Sequence, residues 1–129
     1  MLPRFARILV VDDSQVTRKL VRAMLAELGF TNIDEAEDGT QALAALGRVR
    51  YALVVSDWLM EPMNGLDLLR AVRRSDRHSR QPFIMMTTQN QRKFAEVARD
   101  AGATQFLTKP FTARKLAEKI AAIDVAETV

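Results

Sequence analysis

Residues 8–14 read ILVVDDS, a segment in which four apolar residues run directly into two aspartates and a serine. A short unbroken apolar run with polar residues at its end is typical of a strand that is buried on both faces of a sheet. Residues 52–57 repeat the pattern as ALVVSD, so that Asp57 follows a second apolar run. Because the carboxyl ends of parallel strands meet at one edge, where ligands bind, Asp12, Asp13 and Asp57 are predicted to converge there.

Short apolar runs alternate with helical spacing five times along the chain. Strands are expected at residues 7–12, 32–36, 51–56, 82–86 and 104–108. Strands that read as continuous apolar runs and alternate with helices form a parallel sheet with helices on both faces. The sequence therefore predicts an α/β fold of five strand–helix units.

The helices have recognisable start and stop signals. The first is expected to begin at Ser14, an N-cap residue, and to end at Gly29, with Val16 and Leu20 facing the core and Arg18 facing water. The second helix is expected after residues 38–40, the third after residues 64–65 and the fifth after residue 112. The fourth is expected from about residue 90 to 101, with Val97 among its core residues.

The composition indicates one ordinary globular domain and excludes several classes of function. The chain has 129 residues, of which 48% are hydrophobic and 27% charged, so we expect a single domain over residues 1–129 with no output domain. No apolar run approaches the ~20 residues of a spanning helix, so no membrane span is expected. The chain has no cysteine, which excludes thiol catalysis and fits a cytoplasmic protein. A net charge of +3 without a DNA-reading motif gives no reason to expect DNA binding.

The predicted edge also receives a hydroxyl and an ammonium group. Thr87 closes the fourth apolar run and Lys109 directly follows the fifth. Two carboxylates about 4 Å apart repel by roughly 4 kcal/mol at an effective dielectric near 20, so the three aspartates need a cation. Mg²⁺ is expected, because this hard cation prefers oxygen ligands. The whole set suits phosphoryl transfer to a carboxylate, in which catalysis is mostly positioning and electrostatics.

Four motifs in this order resemble one known family, the response-regulator receiver domains of two-component signalling, and within it the single-domain chemotaxis regulators. The motifs are residues 10–14 (VVDDS), 57–66 (DWLMEPMNGL), 86–88 (MTT) and 109–111 (KPF), and the resemblance runs from Arg7 to about Ile123. It implies a flavodoxin-like, doubly wound, five-stranded parallel sheet in the order 2-1-3-4-5 with five helices on two faces. It also implies a cis peptide bond between Lys109 and Pro110.

The resemblance implies a role for each site residue. Asp57 resembles the phosphoacceptor, while Asp12, Asp13, Asp57 and the backbone carbonyl of Leu59 would bind Mg²⁺. Lys109 would pair with the phosphoryl oxygens and Thr87 would hydrogen-bond one of them. Phe106 lies where the family places a switching aromatic residue, but it lacks the hydroxyl of a tyrosine.

The resemblance implies that the protein is a phosphorylation-activated signalling switch. It would not be an enzyme, since the only reactions it would catalyse are its own phosphorylation and dephosphorylation. A sensor histidine kinase or histidine phosphotransfer protein would supply the phosphoryl group. The signal would pass by protein contact through the face of helix 4, strand 5 and helix 5, with the flagellar motor switch as one candidate target. A phosphate sink or phosphorelay intermediate would keep the same chemistry without an output of its own.

Two other classes of function also fit parts of the pattern. A haloacid-dehalogenase-like phosphatase uses an aspartyl intermediate, but it needs an Asp-x-Asp signature after its first strand, whereas Asp12 and Asp13 are adjacent. A flavodoxin-like nucleotide binder needs a phosphate-binding loop after that strand, and the sequence there is acidic and lacks glycine.

Arginines crowd the third predicted helix and the loop that follows it. Arg73, Arg74 and Arg77 are candidates for a surface that binds an anion or an acidic partner, because guanidinium groups suit phosphates and carboxylates. The alternative is an ordinary solvated basic face.

Overall fold

The computed structural model describes residues 2–89 and 91–128, with side chains described up to residue 123. Its elements, in chain order, are β1 (Ile8–Val11), α1 (Gln15–Glu27), β2 (Ile33–Ala36), α2 (Gly39–Arg48), β3 (Leu53–Asp57), α3 (Gly65–Arg74), β4 (Phe83–Thr87), α4 (Arg92–Asp100), β5 (Gln105–Thr108) and α5 (Ala113–Thr128). The predicted start of the fourth helix, near residue 90, falls on a position outside the described residues.

The five strands form one sheet in the order β2-β1-β3-β4-β5, and all four strand pairs are parallel. This confirms the predicted flavodoxin-like topology. The winding direction reverses between β1 and β3, which lie side by side with Val11 opposite Ser56. The carboxyl ends of these two strands therefore flank the crevice in which such folds bind ligands.

Two apolar layers cover the sheet because successive strand residues point to opposite faces. On one face Leu9 and Val11 of β1 pack with buried residues of α2, α3 and α4. On the other face Ile8 and Val10 pack with buried residues of α1 and α5. Every side chain of β1, β3 and β4 is buried, as expected for strands covered on both sides.

Helix α1 is rotated relative to the predicted core stripe. Its buried residues are Arg18, Val21 and Leu25, whereas Val16 and Leu20 are 77% and 57% exposed. The predictions that Val16 and Leu20 face the core and that Arg18 faces water were therefore wrong. The physical reason is that Arg18 finds acceptors inside the protein, which allows a cation to occupy an inward position.

The predicted ends of α1 are correct, whereas one predicted core position of α4 is not. The Ser14 side chain caps α1 by accepting the Thr17 N–H at 3.2 Å, and Gly29 follows the helix with a positive φ of 99°, as predicted. Val97 of α4 is 40% exposed, so its predicted core position was wrong; Ala98 is the residue of that helix that is fully buried.

Among the described residues, no helix combines the length and apolar character needed to cross a bilayer.

Candidate functional site

The three aspartates lie together at the carboxyl edge of the sheet. Asp12 directly follows β1, and Asp57 is the last residue of the neighbouring strand β3, one position further than predicted. Each of Asp12, Asp13 and Asp57 offers a carboxylate oxygen, and these oxygens lie within 4.8 Å of one another. The convergence predicted from the two apolar runs is therefore present.

The three carboxylates differ in their access to solvent. Asp12 is 1% exposed and Asp57 is 9% exposed, while Asp13 is open to water. Two buried carboxylates and one exposed carboxylate make a cluster that is open to solution at Asp13. Asp57 is thus close to the surface without being solvated on all sides.

Lys109 joins the two buried carboxylates. Its Nζ lies 3.0 Å from Asp12 Oδ2 and 3.1 Å from Asp57 Oδ1. Burial acts to lower the pKa of Lys109, but the hydrogen bonds and charges of Asp12 and Asp57 together outweigh it and raise that pKa above its usual value. The lysine therefore remains a cation in the middle of the acidic pocket.

The pKa of Asp57 is raised above the usual aspartate value. The largest cause is burial, which the charge of Lys109 opposes and the charge of Asp12 reinforces. A carboxylate in this setting is less solvated than one in water. It depends on cations to hold its negative charge.

The segment after β5 positions Lys109. Its backbone N–H donates to the Thr87 carbonyl at 2.7 Å, which ties this segment to the end of β4. The peptide bond between Lys109 and Pro110 is cis, as the resemblance implied. Residue 109 is thus held at the end of β4, and from there its ammonium group contacts Asp12 and Asp57.

Thr87 ends β4 beside the strand that carries Asp57, which lies opposite Met86 in the parallel register. The side chain of Thr87 is buried, and its Oγ1 accepts the Gln89 N–H at 3.1 Å. The hydroxyl is the acceptor in this bond, so the bond does not use its proton.

The side chains of Leu59 and Phe106 are not part of the carboxylate cluster. The Leu59 side chain, in the loop after β3, is 61% exposed. Phe106 of β5 is half-buried and packs edge-to-face on Trp58, with ring centroids 6.4 Å apart. Trp58 makes a second edge-to-face contact with Phe94 of α4 at 5.7 Å. An aromatic chain therefore connects the residue after Asp57 with α4 and β5.

Gly65 allows helix α3 to begin directly beside Asp57. Its N–H donates to the Trp58 carbonyl at 2.8 Å, and a Cβ atom at this position would lie 2.1 Å from the Asp57 carbonyl oxygen. No side chain fits at that distance. The glycine of the loop motif is thus required by packing against the backbone of Asp57.

Arg18 is a supporting residue that the sequence reading missed. Its Nη1 donates to the backbone carbonyl of Asp12 at 2.6 Å, and its Nε donates to Glu35 Oε1 at 2.9 Å. Arg22 holds the other oxygen of Glu35 at 3.0 Å. The available signal was helical spacing, because Arg18 lies three and seven residues before the buried Val21 and Leu25.

The three arginines singled out in the sequence have different surroundings. Arg73 is half-buried, with Nε donating to the Gly102 carbonyl at 2.9 Å and Nη1 to the Ser79 carbonyl at 3.2 Å. Burial lowers the pKa of Arg73. Arg74 is exposed, and Arg77 borders a small cavity at the opposite edge of the sheet from Asp57. Arg73 therefore serves the packing of α3 on the loop after α4.

The donor set fits a hard divalent cation. Carboxylate oxygens are the ligands that Mg²⁺ prefers, and one exposed carboxylate leaves room for the waters that this ion retains. Three negative charges with a single ammonium group between them also leave net negative charge in the pocket. Metal binding would reduce the repulsion among them.

Comparison with known proteins places this geometry in a family. The family model of the response regulator receiver domain matches residues 8–121 of the chain. The chain belongs to the response-regulator receiver domains. It is 44% identical over 114 residues to the chemotaxis protein CheY of Pseudomonas aeruginosa, which covers 88% of this chain and 92% of that protein. It is 38% identical over 120 residues to CheY-3 of Vibrio cholerae, with 93% and 92% covered.

Solved structures support the same assignment. The chemotaxis protein CheY4 of Vibrio cholerae superposes with a TM-score of 0.83 at 32% identity, covering 91% of this chain and 97% of that one. A chain of the CheX–CheY–BeF₃–Mg²⁺ complex from Borrelia burgdorferi gives a TM-score of 0.85 at 25% identity, covering 92% of this chain and 88% of that one. The chain is a CheY-like receiver and thus a phosphorylation-activated switch of two-component signalling.

Proposed function

We propose that Asp57 is the phosphoacceptor of this receiver and that a sensor histidine kinase or histidine phosphotransfer protein supplies the phosphoryl group. The observation that carries the proposal is the position of Lys109, whose ammonium group lies between Asp57 and Asp12. A partly buried aspartate with a fixed cation beside it is suited to attack a phosphoryl group, because the cation can stabilise the charge on the phosphoryl oxygens. A structural ion pair would not need to lie next to two further carboxylates.

Phosphoryl transfer to Asp57 forms one bond to phosphorus and breaks another. An oxygen of the ionised Asp57 attacks phosphorus, a P–O bond forms, the P–N bond to the donor histidine breaks, and the imidazole leaves with the electron pair and takes up a proton. Hydrolysis later adds water to the acyl phosphate and returns the aspartate and inorganic phosphate. Beyond these steps on its own side chain, the protein is proposed to have no enzymatic activity.

Asp12, Asp13, Asp57 and the backbone carbonyl of Leu59 are the proposed ligands of Mg²⁺. When bound, the ion supplies positive charge for the phosphoryl oxygens. The fit rests on three carboxylate oxygens within 4.8 Å of one another. Lys109 contacts Asp12 at 3.0 Å, so the ammonium group and the ion would share the charge of that carboxylate.

Lys109 and Thr87 are proposed to bind the oxygens of the transferred group. Lys109 already contacts the attacking carboxylate, so its ammonium group can follow the charge onto the phosphoryl oxygens. Thr87 has a hydroxyl proton to donate and lies at the end of the neighbouring strand. Both residues are joined through the backbone bond from Lys109 to Thr87, so movement of one affects the other.

The proposed output is a change in the face formed by α4, β5 and α5, with Phe106 as the switching residue. Phe106 borders a cavity of about 420 Å³ between α4 and β5, and it contacts Trp58 next to the acceptor. A shift in the populations of inward and outward Phe106 would change this face. Without a phenolic hydroxyl, the change acts through volume and burial. The partner is proposed to be a cytoplasmic protein, with the flagellar motor switch as one candidate.

Labelling with acetyl phosphate tests the acceptor. The protein is incubated with Mg²⁺ and acetyl phosphate, and intact mass reports the gain of one phosphoryl group. Asp57→Asn is expected to abolish the adduct, whereas Asp67→Asn, at an exposed carboxylate of α3, is the matched control and keeps it. Full labelling of the Asp57 variant would refute the assignment. A labelled protein whose contacts with every candidate target stay unchanged would indicate a phosphate sink or relay instead of a switch.

A further inference from the structure

Cationic side chains surround a small cavity at the amino-terminal edge of the sheet. The loop between α2 and β3 contributes Arg50, and the loop between α3 and β4 contributes Arg77, His78 and Arg80. The cavity has a volume of about 180 Å³. The geometry points to a binding site for a small phosphate-bearing anion, held by Arg50, Arg77 and Arg80.

Hydrogen bonds fix the wall of this cavity. The buried Gln81 donates from Nε2 to the Tyr51 carbonyl at 3.0 Å and so ties the two loops together. Two backbone bonds fold the arginine-bearing loop, from the His78 N–H to Ser75 at 3.1 Å and from the Gln81 N–H to His78 at 3.0 Å. The cavity is thus built by protein contacts and does not need a ligand to form.

Among the described residues, no ion pair neutralises the positive charge of this cavity. In the part of the chain that the structure describes, Arg50, Arg77 and Arg80 form no ion pair with a carboxylate, whereas Arg18 and Arg22 share Glu35. The nearby carboxyl groups do not change this. Asp34 accepts the Tyr51 hydroxyl at 2.6 Å and lies 3.9 Å from Arg7, and Asp76 is exposed on the same loop. A multivalent anion would relieve the repulsion among the three guanidinium groups.

The size and the donors indicate the class of ligand. Pockets for drug-sized molecules occupy roughly 300–1,000 Å³, so a cavity of about 180 Å³ takes a phosphate or diphosphate group and not a whole large cofactor. Guanidinium groups bind phosphate oxygens in a bidentate manner, and several of them together favour more than one negative charge. Phosphate and diphosphate groups meet both conditions.

This site is separate from the proposed phosphorylation site and does not depend on it. Strand β3 (Leu53–Asp57) begins beside the cavity and ends at Asp57. At about 3.3 Å per residue, the two sites lie roughly 15 Å apart on opposite edges of the sheet. Both can be occupied at once.

His78 provides a reporter inside the cavity. It is the only histidine in the chain, so its imidazole signals need no assignment among alternatives. Burial lowers the pKa of His78, and the charges of Arg77 and Arg50 lower it further. An anion bound among these groups opposes the arginine charges and raises the pKa of His78.

The test is a titration with pyrophosphate, followed by NMR of the His78 imidazole. Divalent cations are left out so that the aspartate pocket does not contribute, and ionic strength is held constant because exposed charges are screened. We expect saturable binding with a rise in the His78 pKa. Arg77→Gln combined with Arg80→Gln should weaken binding by about tenfold or more, since it removes two charge-assisted contacts.

Arg74→Gln is the matched control, because it removes an exposed arginine of α3 that does not border the cavity. Its affinity for pyrophosphate should change less than about twofold. Equal weakening by Arg74→Gln, or binding that leaves His78 unshifted, would overturn the site. A poly-glutamate peptide that competes at lower concentration than pyrophosphate, with the same dependence on Arg77 and Arg80, would overturn the ligand class in favour of an acidic protein partner.

Discussion

The guanidinium group of Arg18 donates to the backbone carbonyl of Asp12 at 2.6 Å and so fixes the start of the loop that carries two of the three site carboxylates. Glu35 of β2 holds the same guanidinium group at 2.9 Å. The carboxylate pocket is therefore supported from β2 through a side chain of α1.

Loss of this support is expected to weaken metal binding. Arg18→Gln should lower Mg²⁺ affinity by roughly tenfold, the usual range for a residue that orients a ligand from behind. Arg22→Gln, which removes only the exposed partner of Glu35, should change it by less than about twofold. Quenching of Trp58 emission during Mg²⁺ titration, or calorimetry, measures both, and equal effects of the two variants would contradict the positioning role.

Lys109→Ala is expected to leave Mg²⁺ affinity unchanged or higher, because the ammonium group competes for the carboxylates of Asp12 and Asp57. In metal-free buffer the variant should melt at a lower temperature, since two buried carboxylates lose their cation. Mg²⁺ should restore more stability to it than to the parent protein. Acetyl phosphate labelling should slow by roughly tenfold or more. A variant that loses Mg²⁺ binding would show that Lys109 acts on the site differently.

Gly65→Ala should destabilise the protein by about 1–3 kcal/mol or more, because the new methyl group would meet the Asp57 carbonyl oxygen at 2.1 Å. The matched control is Gly47→Ala in α2, where nothing lies within 4 Å of the new atom. That change should stabilise by about 0.5–1 kcal/mol through helix propensity. Urea unfolding of the two variants gives both values, and a neutral Gly65→Ala would show that α3 can move away from Asp57.

Tyr51 should titrate at unusually high pH. Burial, and then the hydrogen bond and charge of Asp34, raise its pKa to about 12. Since Tyr51 is the only tyrosine, tyrosinate absorbance follows it directly. Asp34→Asn should lower the pKa while leaving it above about 10, because burial remains.

The same shift has a consequence for stability. The folded pKa lies above the unfolded value of about 10, so the folded state binds more protons between these values. The contribution of Tyr51 is therefore complete below about pH 10 and is lost as the pH rises through about 12. Tyr51→Phe should remove this part of the pH dependence in urea unfolding; an unchanged slope would assign it to other groups.

The sequence predicted the parts of the fold that depend on local pattern. Continuous apolar runs predicted the five strands to within two residues at either end, and the aspartates at the carboxyl ends of β1 and β3 predicted the carboxylate cluster. Helix α1 was misread because Val16 and Leu20 are apolar and Arg18 is charged. Its orientation depends on the Asp12 carbonyl and on Glu35, which are distant in the chain, and hydrophobic periodicity carries no information about such partners.

The arginines illustrate the same limit at the surface. A run of arginines in the sequence does not distinguish Arg73, which bonds to two backbone carbonyls, from Arg77, which borders a cavity. Arg50 joins that cavity from another loop, and only the packing of the two loops brings it there.

The proposed function requires that separate strand ends form one acidic site in which Asp57 carries the phosphoryl group. A crystal structure of the protein with Mg²⁺ and beryllofluoride shows whether they do. We expect beryllium bonded to a carboxylate oxygen of Asp57, the metal ion on Asp12 and Asp13, and Lys109 at hydrogen-bonding distance from a fluoride. An adduct on another carboxylate, or a metal ion bound away from Asp12 and Asp13, would refute the assignment of these residues.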